Sequence, residues 1–363
     1  MNLAFVESPV QLLNVLEWAH AQPYEPPYPQ PYEHPRRRPG PPSPPGPADG
    51  ILVVVLPPTD PVSRDQLRTM AELAREEGFA VRWQEARGGA GAPLRAVRAL
   101  LPELRRAGRI VIGDPFSRYV QLLLTLVGGT PLTVVDDGTA TMEFTDRLAR
   151  GEKLTRWHRR DARGPRELAL APVTRLARSR LTPSRTQAVE LFTSMPVAPP
   201  QGIAVTPNTF GWTRFRFGPP EIAPGADLVG TSLVETGVVD PDRYAAAVAA
   251  LTRAHGVTRY FAHRREDSGK LARLARETGV EIVRPDLPLE LVARRGPIAA
   301  TVLSFPSTVV HTLPIALAGT GIKVAVCDIA PEWLRATASP HARGFLAGVT
   351  GSARDVQRLP APV

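Results

Sequence analysis

Short aliphatic runs alternate with helix-forming stretches along most of this chain, and this alternation limits the folds open to it. Leu3–Val6, Ile51–Leu56 and Leu132–Val135 are such runs, and helix-forming stretches of about 10–15 residues follow them. Parallel strands need a crossover connection of roughly that length, whereas antiparallel strands can be joined by a tight turn. Fully apolar strands are also typical of sheets that are covered on both faces. The pattern therefore predicts an α/β protein with Rossmann-like parallel sheets.

The chain has 363 residues, which is more than one hydrophobic core usually organises, so we expect two domains. We place an N-terminal domain at residues 1–185 and a C-terminal domain at residues 186–363, with strands Glu190–Thr193 and Ile203–Val205 in the second. Residues 21–50 are dominated by proline, which lacks a backbone N–H and interrupts both helices and strand ladders. We therefore expect a disordered or polyproline-II insertion in a loop of the first domain.

The positive charge of the chain is concentrated in one segment. Residues 147–185 contain eleven arginines and Lys153 against three acidic residues, which gives the segment a net charge of +9, equal to that of the whole chain. A basic segment of this kind can bind a polyanion or an anionic membrane surface. A solvated helical hairpin is the alternative. The segment has no aromatic residue beyond Trp157 and no recognised motif, which argues against nucleic acid as the partner.

Several classes of protein are excluded by what the sequence lacks. No apolar run approaches the roughly 18 residues of a membrane span, and Glu7 interrupts the stretch where a signal peptide keeps its apolar core. We therefore expect a cytoplasmic protein, peripheral at the inner membrane face if the basic segment binds lipid. The single cysteine, Cys327, excludes intrachain disulfides, and its apolar surroundings predict a buried thiol. The sequence contains neither a GxxxxGK(S/T) loop nor an HExxH motif, and we expect no cofactor and no metal site.

An acidic pair follows one of the predicted strands directly. Asp136 and Asp137 come after the run Leu132–Val135 and before Gly138, which permits a tight turn. Because successive strand side chains point to opposite faces, we expect only one of the two carboxylates to enter a site at the strand's carboxyl end. That carboxylate could act as a general base, and the other could be structural. The alternatives are a cap for the helix that begins at Thr139, or a magnesium site.

Two further groups of polar residues follow strands of the second half. His263 comes directly after the strand Arg259–Ala262, and Arg264 adds positive charge beside it, so a protonated His263 could assist a departing phosphate. Ser304, Ser307 and Thr308 link a strand to a helix, and a helix N-terminus suits a phosphate. The alternatives are a structural role for His263 and plain helix capping by Ser307.

These groups together resemble the motif set of bacterial sialyltransferases. In those families an acidic pair before glycine supplies the base, a His-Pro motif assists the donor phosphate, and a Ser-Ser/Thr motif binds it. Asp136-Asp137-Gly138, His263 and Ser307-Thr308 match in order. Arg264 stands where the family has proline. The stretches Val6–Asn14, Ile112–Asp114 and Gly230–Glu235 are similar to the α-2,8-polysialyltransferase-like group.

The resemblance implies a GT-B fold, in which two Rossmann-like domains face each other across a cleft. It implies an inverting, metal-independent transfer of sialic acid or a related nonulosonic acid from a CMP-activated donor to a hydroxyl of a glycan or glycolipid acceptor. The base would come from the N-terminal domain, as Asp136 or alternatively Asp137, and the donor would bind the C-terminal domain. Besides the catalytic candidates Asp136, Asp137 and His263, we expect phosphate contacts from Ser304, Ser307, Thr308 and Arg264, and nucleotide or acceptor contacts from Ser8, Gln11, Gly138, Gly230 and Glu235.

Two other functions fit the same sequence. One is a GT-B glycosyltransferase that uses a UDP-sugar or GDP-sugar. The other is a non-catalytic protein of the same fold that binds a polyanion through the basic segment, for which Asp136 and Asp137 would be dispensable.

Overall fold

A computed structural model describes residues 1–22, 50–87, 89, 91–155, 165–338 and 340–362 of the chain. The predicted proline-rich insertion lies almost entirely outside the described residues, as does part of the basic segment 147–185. The chain divides into two compact units. The first comprises Met1–Thr193 and Val197–Asn208, and the second comprises Ser194–Pro196 and Thr209–Val363. Within the described ranges, every helix is too short or too polar to span a bilayer.

The first unit contains a seven-stranded sheet in the order β3-β2-β1-β4-β5-β6-β7, and all neighbouring strands are parallel. Its elements in chain order are β1 Asn2–Val6, α1 Pro9–Ala21, β2 Ile51–Val55, α2 Pro61–Glu76, β3 Ala80–Trp83, α3 Ala92–Arg106, β4 Arg109–Ile112, α4 Arg118–Leu124, β5 Leu132–Val135, α5 Thr139–Ala149, α6 Pro165–Leu181, β6 Val189–Thr193 and β7 Ala204–Pro207.

Aliphatic strands and well-capped helices explain why this sequence forms those elements. β5 is buried along its whole length, and β1 and β2 are buried along nearly all of theirs, as expected for a sheet covered on both faces. At the start of α1, Ser8 accepts a hydrogen bond from the backbone N–H of Gln11, and Pro9 takes the first helical position.

The second unit contains a six-stranded parallel sheet in the order β10-β9-β8-β11-β12-β13. Its elements are α7 Gly211–Phe217, β8 Ile222–Val229, α8 Pro241–His255, β9 Val257–Phe261, α9 Ser268–Thr278, β10 Glu281–Val283, α10 Leu289–Arg295, β11 Ile298–Ser304, α11 Val309–Ala316, β12 Lys323–Cys327, a 3₁₀ turn Pro331–Trp333, α12 Pro340–Ser352 and β13 Gln357–Leu359. Cys327 is a buried free thiol, as predicted.

Aromatic packing and one buried ion pair hold the second sheet. Phe305 packs against Tyr244 at 5.0 Å and Trp333 at 6.5 Å between ring centroids. Asp227 is fully buried on β8, and both of its oxygens accept hydrogen bonds from Arg259 on β9, at 2.9 and 2.7 Å. The bidentate geometry compensates for removing both charges from water.

The structure differs from the sequence prediction at the end of the first sheet. The strands predicted at Glu190–Thr193 and Ile203–Val205 were placed in the second domain, but β6 and β7 extend the first sheet beyond β5. A short apolar strand pattern does not encode which sheet the strand joins. That choice depends on long-range pairing such as Leu132 with Val189.

Candidate functional site

Asp136 is buried and fixed by hydrogen bonds at the carboxyl end of β5. Its carboxylate accepts a hydrogen bond from the Thr193 hydroxyl at 2.5 Å, and the residue is only 2% exposed. Its backbone carbonyl accepts a hydrogen bond from the Asn14 side-chain amide at 3.0 Å. Asn14 in turn accepts one from Asn208 at 2.8 Å. Asp136 is therefore linked to β6 through its carboxylate and to α1 through its backbone carbonyl, and Asn14 extends the link to Asn208 after β7.

Asp137 occupies a more open position than its neighbour. It is half-buried, and its carboxylate lies 3.5 Å from the Ser8 hydroxyl at the start of α1. Its backbone N–H donates to the Thr141 hydroxyl, and Gly138 then turns the chain with a φ of +64°. Gly138 itself is the N-cap residue of α5, so the N-cap position that the alternative gave to an aspartate is occupied by glycine. The pair thus consists of one buried and one half-buried carboxylate.

Glu7 is a third acidic group at this edge that the sequence analysis did not assign to the site. It directly follows β1, and its carboxylate accepts a hydrogen bond from Ser117 at 2.8 Å and pairs with Arg87 at 2.9 Å. Burial raises the pKa of Glu7 to about 7; Arg87 opposes the shift, and the negative charges of Asp114 and Asp137 add to it. The signal that could have found it is the one used for Asp136, an acidic residue immediately after a buried strand.

Ser8 and Gln11, predicted as ligand contacts, have structural partners in this edge. Ser8 caps α1, and the Gln11 side-chain oxygen accepts a hydrogen bond from the Glu7 backbone N–H at 2.7 Å. Gln11 is 2% exposed and passes directly over Gly113, where a β-carbon would overlap its Cγ, Cδ and Oε1 atoms. Both residues therefore fix the backbone around Glu7.

His263 lies in the loop after β9, as predicted, and its environment favours the neutral imidazole. Burial, together with the positive charges of Arg264 and Arg265, lowers the pKa of His263 to about 4. Its Nδ1 accepts a hydrogen bond from the Arg265 backbone N–H at 3.2 Å. In the neutral ring the hydrogen is consequently on Nε2, which is available as a donor. Near pH 7 this histidine is neutral rather than protonated.

A buried polar network supports the His263 loop. Glu266 accepts hydrogen bonds from the His263 backbone N–H at 2.5 Å and from the Tyr260 hydroxyl at 2.6 Å. Lys270 lies 2.7 Å from Glu266 and 2.9 Å from Glu235. Glu235, predicted to contact a ligand, is therefore an ion-pair partner that ties the loop after β8 to α9.

Gly230 is required for this network to approach the loop after β8. A β-carbon at Gly230 would overlap the Glu266 carboxylate and the Tyr260 ring. Gly230 follows β8, which lies between β9 and β11 in the sheet. His263 and Gly230 therefore lie at the same edge of the sheet as the loop that follows β11.

The loop after β11 presents the predicted hydroxyl groups. Ser304 is buried and donates to the Phe305 carbonyl at 2.8 Å, and its hydroxyl lies 3.3 Å from that of Ser307. The N-cap residue of α11 is Thr308 rather than Ser307, and it makes no side-chain capping hydrogen bond. The capping role considered for Ser307 is thus not what the structure shows. Ser307 and Thr308 are both half-buried at the start of the helix.

The predicted residues thus gather at the carboxyl edges of the two sheets, one group in each unit. Asp136, Asp137, Gly138, Ser8 and Gln11 belong to the first group, and His263, Arg264, Gly230, Glu235, Ser304, Ser307 and Thr308 belong to the second. Among the described residues, no cluster of three or more His, Cys, Asp or Glu side chains could hold a metal ion.

Comparison with solved structures identifies the class of fold. The chain is similar to the crystal structure of an alpha/beta-galactoside alpha-2,3-sialyltransferase from the luminous marine bacterium Photobacterium phosphoreum, with 8% sequence identity, coverage of 98% of this chain and 97% of that chain, and a TM-score of 0.51. Together with the two parallel sheets, this likeness confirms the predicted fold class, an α/β protein of the GT-B type.

Two other solved structures match with lower scores. They are MurG from Acinetobacter baumannii, at 11% identity, 99% and 86% coverage and a TM-score of 0.39, and the Escherichia coli heptosyltransferase WaaC, at 13% identity, 91% and 90% coverage and a TM-score of 0.38. Neither a protein-family model nor a curated protein sequence matches this chain.

Proposed function

We propose that this protein is a glycosyltransferase that transfers a nonulosonic acid, such as sialic acid, from a CMP-activated donor to a hydroxyl of a glycan or glycolipid. The observation that carries the proposal is the division of roles within the acidic pair, where Asp136 is held by Thr193 and Asp137 is half-buried beside Ser8. The GT-B fold supports a nucleotide-sugar enzyme in general. The donor class comes from the sialyltransferase motif set, and UDP-sugars and GDP-sugars are the donors that the first experiment tests against it.

Asp137 is the general base in this proposal. A base must be within reach of the acceptor hydroxyl, and Asp137 is the more accessible carboxylate of the pair. Asp136 is buried and already accepts a hydrogen bond from Thr193, which suits a positioning role. The turn at Gly138, with its positive φ, separates Asp137 from α5.

The donor phosphate is assigned to the second unit. Ser307 and Thr308 stand at the start of α11, where the helix dipole favours an anion. The neutral His263 offers Nε2–H as a hydrogen-bond donor, and the charge of Arg264 beside it favours a phosphate over a neutral group. A bound phosphate would oppose the effect of the arginines and raise the pKa of His263, which would increase the protonated fraction that can donate a proton to the leaving group.

The proposed reaction is one displacement with inversion. Asp137 accepts the proton of the acceptor hydroxyl, and the oxygen attacks the anomeric carbon of the donor sugar. The bond from that carbon to the phosphate oxygen breaks, its electron pair remains on the phosphate, and CMP leaves with a hydrogen bond from His263. No metal ion takes part in this proposal.

The basic segment 147–185 is proposed to bind an anionic acceptor or the inner membrane surface of a cytoplasmic enzyme. Not all of its charge is available for this, because Arg147 is buried and pairs with Glu143 and Glu152. The proposal therefore rests on exposed residues such as Arg175 and Arg185.

The first test compares ligands and then two aspartate variants. A thermal-shift panel with CMP, UDP and GDP is run without metal, then with magnesium, and only CMP is expected to stabilise the protein. CMP release from CMP-sialic acid is then measured with a set of glycan acceptors. For Asp137→Asn we expect kcat to fall by about 10²–10⁴-fold with CMP binding unchanged. Asp146→Asn, on an exposed face of α5, is the matched control.

Asp136→Asn gives the contrasting result in the same experiment. We expect it to lower the free energy of unfolding by about 1–3 kcal/mol, because the buried contact with Thr193 is impaired. If a folded Asp136→Asn variant loses activity while Asp137→Asn keeps it, the base is Asp136. Stabilisation by UDP or GDP but not by CMP would show that the donor is a UDP-sugar or GDP-sugar. Full activity in both variants would show that neither aspartate is the base, and no response to any nucleotide would favour the non-catalytic polyanion-binding protein.

A further inference from the structure

Two arginines of the second unit approach each other at a place to which the proposed reaction assigns no role. Arg294 on α10 is 6% exposed, and its Nε and Nη1 atoms are buried without a hydrogen-bond partner in the described structure. Arg214 on α7 is half-buried, and its Nε is likewise buried and unpartnered within the described residues. The helices α7 and α10, which carry the two arginines, pack against each other. Burial lowers the pKa of Arg294, and the nearby charge of Arg214 also lowers it. Two positively charged side chains therefore lie close together in a partly buried environment.

Helix dipoles account for only part of this arrangement. Both arginines lie in the last turn of their helices, where a positive charge is favoured. A purely structural role of that kind would place the guanidinium N–H groups on the terminal carbonyls, yet the buried N–H groups make no such bonds. The carboxylate one turn earlier on α10, Glu290, accepts a hydrogen bond from Thr312 at 2.5 Å. Within the described residues, neither arginine forms an ion pair with a carboxylate.

The arginine pair and the proposed donor-phosphate site lie at opposite ends of β11. α7 leads into β8 and α10 leads into β11, and the two strands pair at their amino ends through Ile222 and Ile298. Ser307 follows the other end of β11, which has seven residues and spans about 20 Å at ~3.3 Å per residue. The arginines therefore lie at the amino edge of the sheet.

We infer that Arg214 and Arg294 form a second anion site, which takes a phosphate-type oxyanion at the amino edge of the second sheet. A guanidinium fork matches two oxygens of a phosphate, and a buried cation without a counter-charge costs several kcal/mol unless an anion occupies its partner position. This inference does not rest on the proposed glycosyltransferase activity.

The same chemistry is offered by a soluble phosphate and by the headgroup of an anionic phospholipid. Phe215, next to Arg214, is 54% exposed, and Ile222 at the start of β8 is 52% exposed. Apolar side chains beside arginines are typical of surfaces that contact membranes, so the experiment has a separate arm for each source.

The soluble arm measures thermal stability with inorganic phosphate against chloride at equal ionic strength. We expect phosphate to raise Tm by about 2–4 °C at a few times its Kd. Arg294→Met should reduce this shift by at least half, and without phosphate its Tm should equal or exceed that of the unsubstituted protein, because an uncompensated buried cation has been removed. Arg295→Met, an exposed neighbour on α10, should keep the full phosphate shift. Arg214→Met serves as the second variant if Arg294→Met does not fold.

The lipid arm measures co-sedimentation with vesicles of phosphatidylglycerol and of phosphatidylcholine. Binding to phosphatidylglycerol alone that Arg294→Met removes would identify a lipid headgroup as the source, and a phosphate shift without vesicle binding would identify a soluble phosphate. The inference is overturned if phosphate gives no specific shift, or if both arginine variants retain it. The thermal shift with CMP is measured separately in each variant. If CMP does not bind, the donor proposal fails, but the phosphate result still tests the arginine site.

Discussion

Glu7 makes the stability of the first unit depend on pH in a predictable direction. Its carboxyl group has its pKa raised from 4.5 to about 7, chiefly because the group is buried. The folded protein therefore keeps a proton on Glu7 at pH values where the unfolded chain has released it. Stability from this group is complete below pH 4.5 and is lost as the pH rises through 7. The substitution Glu7→Gln, which imitates the protonated form, should remove that loss.

The expected magnitude follows from the shift. At 1.36 kcal/mol for each pH unit, the difference between 4.5 and about 7 corresponds to about 3 kcal/mol at alkaline pH. That value already includes the opposing effect of Arg87, whose side chain is 35% exposed. We therefore expect Glu7→Gln to be about 2–3 kcal/mol more stable than the unsubstituted protein at pH 8.5 and to show no gain at pH 4.5.

Urea denaturation at several pH values between 4.5 and 8.5 measures this difference, and calorimetry separates the transitions of the two units. Glu72→Gln, on the exposed face of α2, is the matched control and should change stability equally at every pH. A difference between Glu7→Gln and the unsubstituted protein that stays constant across this range would refute the reasoning. It would mean that Glu7 is ionised in the folded protein at all these pH values.

Two further substitutions test close packing and the buried ion pair. Gly113→Ala should destabilise the first unit by about 1–3 kcal/mol, since the new methyl group overlaps the buried Gln11; unchanged stability in urea denaturation would show that Gln11 moves without cost. Asp227→Asn should destabilise the second unit by about 3–5 kcal/mol, because it leaves Arg259 without its buried counter-charge, and a calorimetric change below 1 kcal/mol would contradict that view of the pair.

The fold class could be predicted from sequence because its signal is repeated. Each aliphatic run is followed by a helix-forming stretch, and local cues such as Ser8-Pro9 mark where a helix begins. Strand partners are set by contacts between distant residues, and for this reason β6 and β7 were assigned to the second half although they pair into the first sheet.

The location of the candidate site could be predicted from the sequence, but the role of each residue in it could be predicted less well. Strand periodicity indicates that Asp136 and Asp137 point to opposite sides, but only the contact with Thr193, 57 residues along the chain, shows which one is held in the protein. The neutral state of His263 likewise depends on its burial, which the sequence does not show. Arg214 and Arg294 are 80 residues apart and match no motif, so their proximity emerges only in the folded chain.

The path of the chain between the two sheets determines where this protein can be divided. After Thr193 three residues belong to the second unit, and the chain then returns to complete the first unit through Asn208. A fragment that ends at residue 185 would lack β6 and β7 and leave the backbone groups of β5 unpaired along one side, as in an aggregation-prone edge strand. It would also lack Thr193 and Asn208, which hold Asp136 and Asn14. A fragment that ends after Asn208 keeps the whole first sheet. An N-terminal fragment must therefore extend to about Asn208, well beyond β5, to retain the contacts of the acidic pair.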